Sequence, residues 1–232
     1  MKRFRSISLA ITVVATAAGF ALSQDTNKPP APPAATPAVP ADQTPPVPTA
    51  PTRTAKERAK EIKEITASIE TVGGTIQLKL EPNKCPLLCA NFCNLARKGF
   101  WDGREWIDFS RVIRQCGTTF LWYTVPREFD PSLFYGVGGR LVMSKDRDVT
   151  EGAKANATRF FITIKNQERW NLDYPAFGNV TSGLQLVVDL KVGDKITKIT
   201  VAGDVDNLLQ TFAPEIAGWD KEFEAAKARG LK

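Results

Sequence analysis

PLLCANFCNLARKGFWDG, residues 86–103, is the stretch on which the reading of the fold turns. Pro86 suits the first turn of a helix, where its missing N–H is no loss, and Leu88, Phe92 and Leu95 then recur on one face. Arg97 and Lys98 complement the negative end of that helix, and Gly99 stops it. The segment predicts an amphipathic helix that must lay its apolar stripe on something.

Its flanks are β-patterned. Upstream, Ala67, Ile69 and Thr71 alternate with polar residues, Gly73-Gly74 make a turn, and Ile76, Leu78 and Leu80 alternate again, giving a hairpin with one buried face. Downstream, strands are predicted at Trp106–Ile113, Arg140–Ser144, Phe160–Ile164, Ala176–Val180 and Asp194–Val201, with a second short helix at Leu184–Leu190. In DFSRVIRQCGTT, residues 108–119, Arg111 stands among Phe109, Val112 and Ile113, where a packed strand would reject an unpaired charge. Many short strands with two helices predict a mainly β fold, a closed or nearly closed barrel.

Farther out the chain changes character. Residues 1–23 carry Lys2, Arg3 and Arg5, then the apolar run ISLAITVVATAAGFAL, then Ala21-Leu22-Ser23, the pattern of a cleaved secretory signal peptide. An uncleaved membrane anchor is the alternative; no other segment reads as spanning a bilayer. Residues 24–52 form a Pro/Ala-rich tract too apolar-poor to build a core, an extended linker. Residues 53–64 (RTAKERAKEIKE) predict a short charged helical spacer, residues 65–203 the globular domain, and residues 204–232 a helical extension. In that extension Leu209, Phe212, Ile216, Trp219 and Phe223 form a stripe that Pro214 should kink, for docking on the barrel or for binding a partner.

Composition removes several function classes. The formal charge of +6 falls to +3 once the three leader cations are gone, and acids are interleaved with bases, which is no nucleic-acid footprint. The chain has no histidine, which excludes Ser-His hydrolysis and His-ligated metal sites. Cys85, Cys89, Cys93 and Cys116 lack a paired C-x-x-C knuckle, so no metal site is expected. Cys89 and Cys93 lie one helical turn apart, with Cβ atoms roughly 5–6 Å apart, too far for an undistorted disulfide.

The order of motifs carries a resemblance. A hairpin, PLLCANFCNLARKGFWDG, FSRVI, GRLVM, FFITI, a tryptophan and FGNV, over about residues 65–202, together resemble the cyclophilin family of peptidyl-prolyl isomerases. The resemblance implies an eight-stranded antiparallel barrel capped by two helices, here with the C-terminal helical extension. It implies a substrate groove on one outer face, no cofactor, and proline-containing polypeptides as substrates. It also makes Arg111 the catalytic arginine and Phe161 the floor of a proline pocket, because strand alternation turns Phe161 away from Phe160. Met143 is expected near the groove, with Trp170 and Leu172 in the segment that closes it.

Departures from the family pattern bear on the site. Ser110 replaces a usual histidine, Arg159 replaces a glutamine before the two phenylalanines, and the groove histidine is replaced within Asn171–Pro175. After FSRVI two registers are open. One puts Cys116 and Gly117 where an aromatic and a methionine belong; the other, with a short deletion, keeps Gln115 as an amide for the substrate backbone.

Two functions are therefore expected from the sequence. One is an exported, monomeric peptidyl-prolyl cis-trans isomerase, periplasmic or extracellular, assisting protein folding without nucleic acid or membrane partners beyond a possible uncleaved anchor. The alternative is a catalytically weak or inactive cyclophilin-like module that binds proline-containing segments or partner proteins. The fate of Gln115 discriminates between them.

Overall fold

The computed structural model describes residues 53–117, 122–145 and 154–230. The expected leader and Pro/Ala-rich linker lie outside the described residues.

Alternation builds the first hairpin as predicted. Strands β1 (Ile65–Thr71) and β2 (Gly74–Leu80) pair from Ile65 opposite Leu80 to Thr71 opposite Gly74. Ile65, Ala67, Ile69, Ile76, Leu78 and Leu80 are all buried on the shared face. The remaining strands of the main sheet are β3 (Trp106–Phe109), β4 (Ile113–Gly117), β6 (Arg140–Met143), β8 (Arg159–Thr163), β9 (Ala176–Ser182) and β10 (Ile196–Gly203). Their order is β10-β1-β2-β9-β6-β8-β4-β3, antiparallel throughout, and β5 (Thr124–Pro126) pairs β7 (Lys154–Asn156) separately. The sheet curls until its edges meet: Gly103 N donates to Ile196 O (2.8 Å), and Trp106 N donates to Asp194 O (2.9 Å). This is the eight-stranded, barrel-like antiparallel sheet with helices that the motif order implied.

Helix α2 (Pro86–Arg97) closes one mouth. Its Cys85 N-cap offers no side-chain bond, so the start is capped from afar: Glu128 accepts from Leu87 N (2.8 Å) and Leu88 N (3.0 Å). Phe92 packs on Phe160 (5.7 Å between ring centroids) and Phe177 (5.6 Å). The stripe Leu88, Phe92 and Leu95 is buried as predicted, yet every residue from Leu88 to Ala96 is buried too. The cause is the C-terminal extension, which covers the outer face. Asn94 Nδ2 donates to Asp220 (2.8 Å), and Phe223 packs on Phe100 (5.6 Å) and Trp122 (4.9 Å). A buried asparagine on α2 is satisfied as burial requires, with Asn91 donating to Ala157 O and accepting from Tyr123 Oη.

Three elements depart from expectation. The single strand predicted at Trp106–Ile113 is broken after β3 by a turn at residues 110–112 that leads into β4, because Ser110 Oγ accepts from Val112 N (3.2 Å) and Ile113 N (3.3 Å). Those local bonds compete with a continuing ladder and fold the backbone back, so that Arg111 sits exposed at the tip rather than in a buried strand. The spacer helix is only α1 (Ala55–Ala59), opened by a Thr54–Glu57 capping box. The extension is two helices rather than one kinked helix, α4 (Val205–Thr211) and α5 (Ala213–Ala228), with Pro214 in the first turn of α5 where it breaks no helical bond. Helix α3 (Leu184–Asp189) starts after Gly183 at φ 84°, close to its predicted span.

All four cysteines are free and buried. Burial pushes the Cys93 and Cys116 thiols up to about 12. Among the described residues no helix is long and apolar enough to cross a membrane.

Candidate active site

Strand β8 sorts its two phenylalanines onto opposite faces. Phe160 turns inward against Trp101 (5.0 Å) and Trp106 (5.9 Å). Phe161 turns outward, edge-on to Tyr174 (5.6 Å) and Trp170 (5.9 Å). Trp170 ends a 3-10 turn, Glu168–Trp170, and its other neighbours are Tyr174 (5.2 Å) and Tyr135 (6.3 Å). These rings make an apolar floor one strand wide.

Strand pairing brings polar groups beside that floor. In the β4–β8 register Gln115 lies opposite Phe161, and residues directly opposite share a face. Gln115 therefore lies on the side of the sheet that carries Phe161. Ser144 Oγ donates to Gln115 Oε1 (3.1 Å), which orients the amide and leaves its Nε2 donors uncommitted among the described residues. Arg159, two residues before Phe161, shares the face. Arg111 lies two residues before Ile113, whose partner across the ladder is Thr163. None of the ion pairs among the described residues involves Arg111.

Two sequence candidates go elsewhere. Met143 pairs with Phe160 and is fully buried, which puts it on the inner face; Val142 takes the place opposite Phe161. Leu172 is 68% exposed at φ 60° and lines an apolar cavity of about 210 Å³ with Phe129, Phe134 and Tyr135, on the far side of Tyr174, which lines it too. Among the described residues no group of three or more His, Cys, Asp or Glu is placed to hold a metal ion.

A family model described as cyclophilin type peptidyl-prolyl cis-trans isomerase/CLD matches residues 66–206, well over half the chain. The chain belongs to the cyclophilin-type peptidyl-prolyl cis-trans isomerases. Among cyclophilins it is similar to peptidyl-prolyl cis-trans isomerase B of Bacillus subtilis, with 30% identity over 141 residues, 56% of this chain and 93% of that protein. A peptidyl-prolyl cis-trans isomerase of Synechococcus elongatus is 29% identical over 150 residues, 60% of this chain and 97% of the other. In fold it resembles a cyclophilin of Cryptosporidium parvum (TM-score 0.54, 20% identity, 61% of this chain and 99% of that one). A structure of that protein in the presence of the dipeptide Ala-Pro is similar as well (TM-score 0.53, 22% identity, 60% and 99%).

Sequence reasoning about this cyclophilin missed two residues at the floor. Tyr174 is the aromatic within Asn171–Pro175 that packs directly on Phe161, and an aromatic so close to Trp170 was the available signal. Lys145 places Nζ 4.5 Å from the centre of the Tyr174 ring while paired with Asp173. Nothing in the sequence around Lys145 marks it.

Proposed function

We propose that this cyclophilin works outside the cytoplasm, accelerating rotation about X-Pro bonds of exported polypeptides and so assisting their folding. The observation that carries the catalytic assignment is the pairing of Gln115 opposite Phe161, which sets an amide donor beside an aromatic floor. Rotation about an X-Pro bond faces a barrier of roughly 18–20 kcal/mol from amide resonance. Phe161, Trp170 and Tyr174 hold the proline ring, and Gln115 Nε2 donates to a substrate carbonyl so that one side of the bond stays fixed while the other turns. Arg111 donates to the prolyl nitrogen as it becomes pyramidal, a bond stronger in the twisted state than in the planar one. No proton changes hands, so the chemistry has no need of a histidine.

Exchange NMR on an Ala-Pro peptide tests the assignment. Wild type is expected to accelerate isomerisation, and Arg111→Ala to lose about a hundredfold, or about 2.7 kcal/mol of transition-state stabilisation. A folded Arg111→Ala variant of undiminished rate would remove the arginine from the mechanism, and a wild type without acceleration would leave a binding module. Export rests on the basic start and apolar run of residues 1–23. Mass spectrometry of protein recovered from its native host should find Gln24 as the first residue, and an intact Met1 would refute the cleaved leader.

A further inference from the structure

The aromatic floor is edged by cations, two of them seated on rings. Lys145 Nζ stands 4.5 Å from the centre of Tyr174, and the Arg169 guanidinium 6.0 Å from the centre of Trp170. Both rings pack on Phe161. Lys145 follows directly on Ser144, whose hydroxyl holds Gln115, so the ammonium is tied to the polar wall and the apolar floor together. Arg111 stands exposed on the hairpin tip, and Arg159 shares the face of Phe161. In the segment from Glu168 to Tyr174, Asp173 is bound to Lys145. The second acid of the segment, Glu168, is held by Asn166 Nδ2 (2.9 Å).

An ammonium has three donors, and among the described residues Asp173 is the one carboxylate Lys145 pairs with. The side chains of Lys145 and Asp173 are 35% and 46% exposed, so a second carboxylate can reach Nζ from solvent. The Tyr174 ring and Asp173 fix the lysine in place in advance, which lowers the entropy lost when a ligand pairs with it.

Resting on the isomerase reading above, we propose that Lys145 selects substrates: this groove favours proline segments with Asp or Glu within two residues of the proline. Asp173 competes for the same ammonium and moderates the preference. A substrate carboxylate would lie over Tyr174 and pair with Lys145 while its neighbouring proline occupies the Phe161 floor, with Arg169 or Arg111 adding longer-range attraction according to the side of the proline that bears the acid.

The test uses the full chain and matched peptides that differ only by Glu or Gln, placed on either side of an Ala-Pro core. Titration by NMR gives Kd and exchange NMR gives kcat/KM from the same samples. The Glu peptide is expected to bind about fivefold tighter than its Gln twin at low salt, the scale of an exposed ion pair. That ratio should fall to about one in roughly 1 M salt, where screening acts within about 3 Å. In Lys145→Gln the ratio should collapse at low salt too, whereas Asp173→Asn should raise it by freeing the lysine. Equal Kd values for the Glu and Gln peptides in wild type, or a ratio unchanged in a folded Lys145→Gln variant, would overturn the proposal. The two readings fail separately: loss of catalysis with the Kd ratio intact removes the isomerase alone, and acceleration of both peptides with no Kd ratio removes the charge selection alone.

Discussion

Phe160 and Phe161 are adjacent, chemically identical and almost equally buried, yet they belong to different parts of the molecule. Phe160 is ringed by Phe92, Trp101 and Trp106 under helix α2. Phe161 meets the rings of Trp170 and Tyr174, beside Gln115 and a line of cations. Burial alone therefore does not distinguish a core residue from a binding floor. The direction of the strand does, together with what lies on each side. The inner side carries aromatic rings and neutral thiols, the outer side an amide whose donors are uncommitted among the described residues and charges that water can reach.

The sharpest way to break this comparison is to truncate both rings. Phe160→Ala should cost about 4 kcal/mol of stability by urea unfolding, because three packed elements cannot collapse into the space. Phe161→Ala should cost about half as much and instead lower kcat/KM on an Ala-Pro peptide about tenfold, or about 1.4 kcal/mol. Equal losses of stability from the two variants, with activity following stability, would make Phe161 an ordinary core residue.

Charge gives a second contrast. The groove charges face water, whereas Glu128 is held beneath the start of α2 by Leu87 N and Leu88 N. Burial pushes its carboxyl up to about 7 from 4.5, against the pull of those two N–H groups and of Lys56. The sign follows from proton counting. Between about pH 4.5 and 7 the folded chain keeps a proton that the unfolded chain has released, so this contribution is complete below about pH 4.5 and is lost as pH rises, by roughly 3 kcal/mol. Glu128→Gln should lose that part of the slope in urea midpoints taken at about pH 5 and about pH 8. A slope identical in wild type and Glu128→Gln would refute it.

How much was legible in the sequence divides along the same lines. The β1–β2 hairpin could be read because period-two alternation ran unbroken to Gly73-Gly74. The side of Phe161 could be read because alternation within a strand needs no knowledge of its neighbours. Met143 was misplaced because its side depends on the β6–β8 register, which neither strand carries by itself. The all-round burial of α2 was hidden for a related reason: its cover arrives with Asp220, 126 residues after Asn94. Lys145 and Asp173 are 28 residues apart, and their meeting over Tyr174 is a product of the fold.

The β3–β4 turn is the subtlest case, since Val112 and Ile113 read as strand and no Gly, Pro or Asn punctuates them. Ser110 makes the turn by accepting from two backbone N–H groups, and Arg111 rides on the loop that results. Ser110→Ala should cost about 1 kcal/mol of stability, the net worth of a typical hydrogen bond. If Ser110 positions Arg111, kcat should also fall about threefold to tenfold with KM little changed, since the arginine acts in the twisted state and not in ground-state binding. Ser110→Thr, which keeps the hydroxyl acceptor, should restore kcat. A loss of stability with kcat intact would leave Ser110 as a turn former alone, and the mechanism would then tolerate an arginine held only loosely at the edge of the floor.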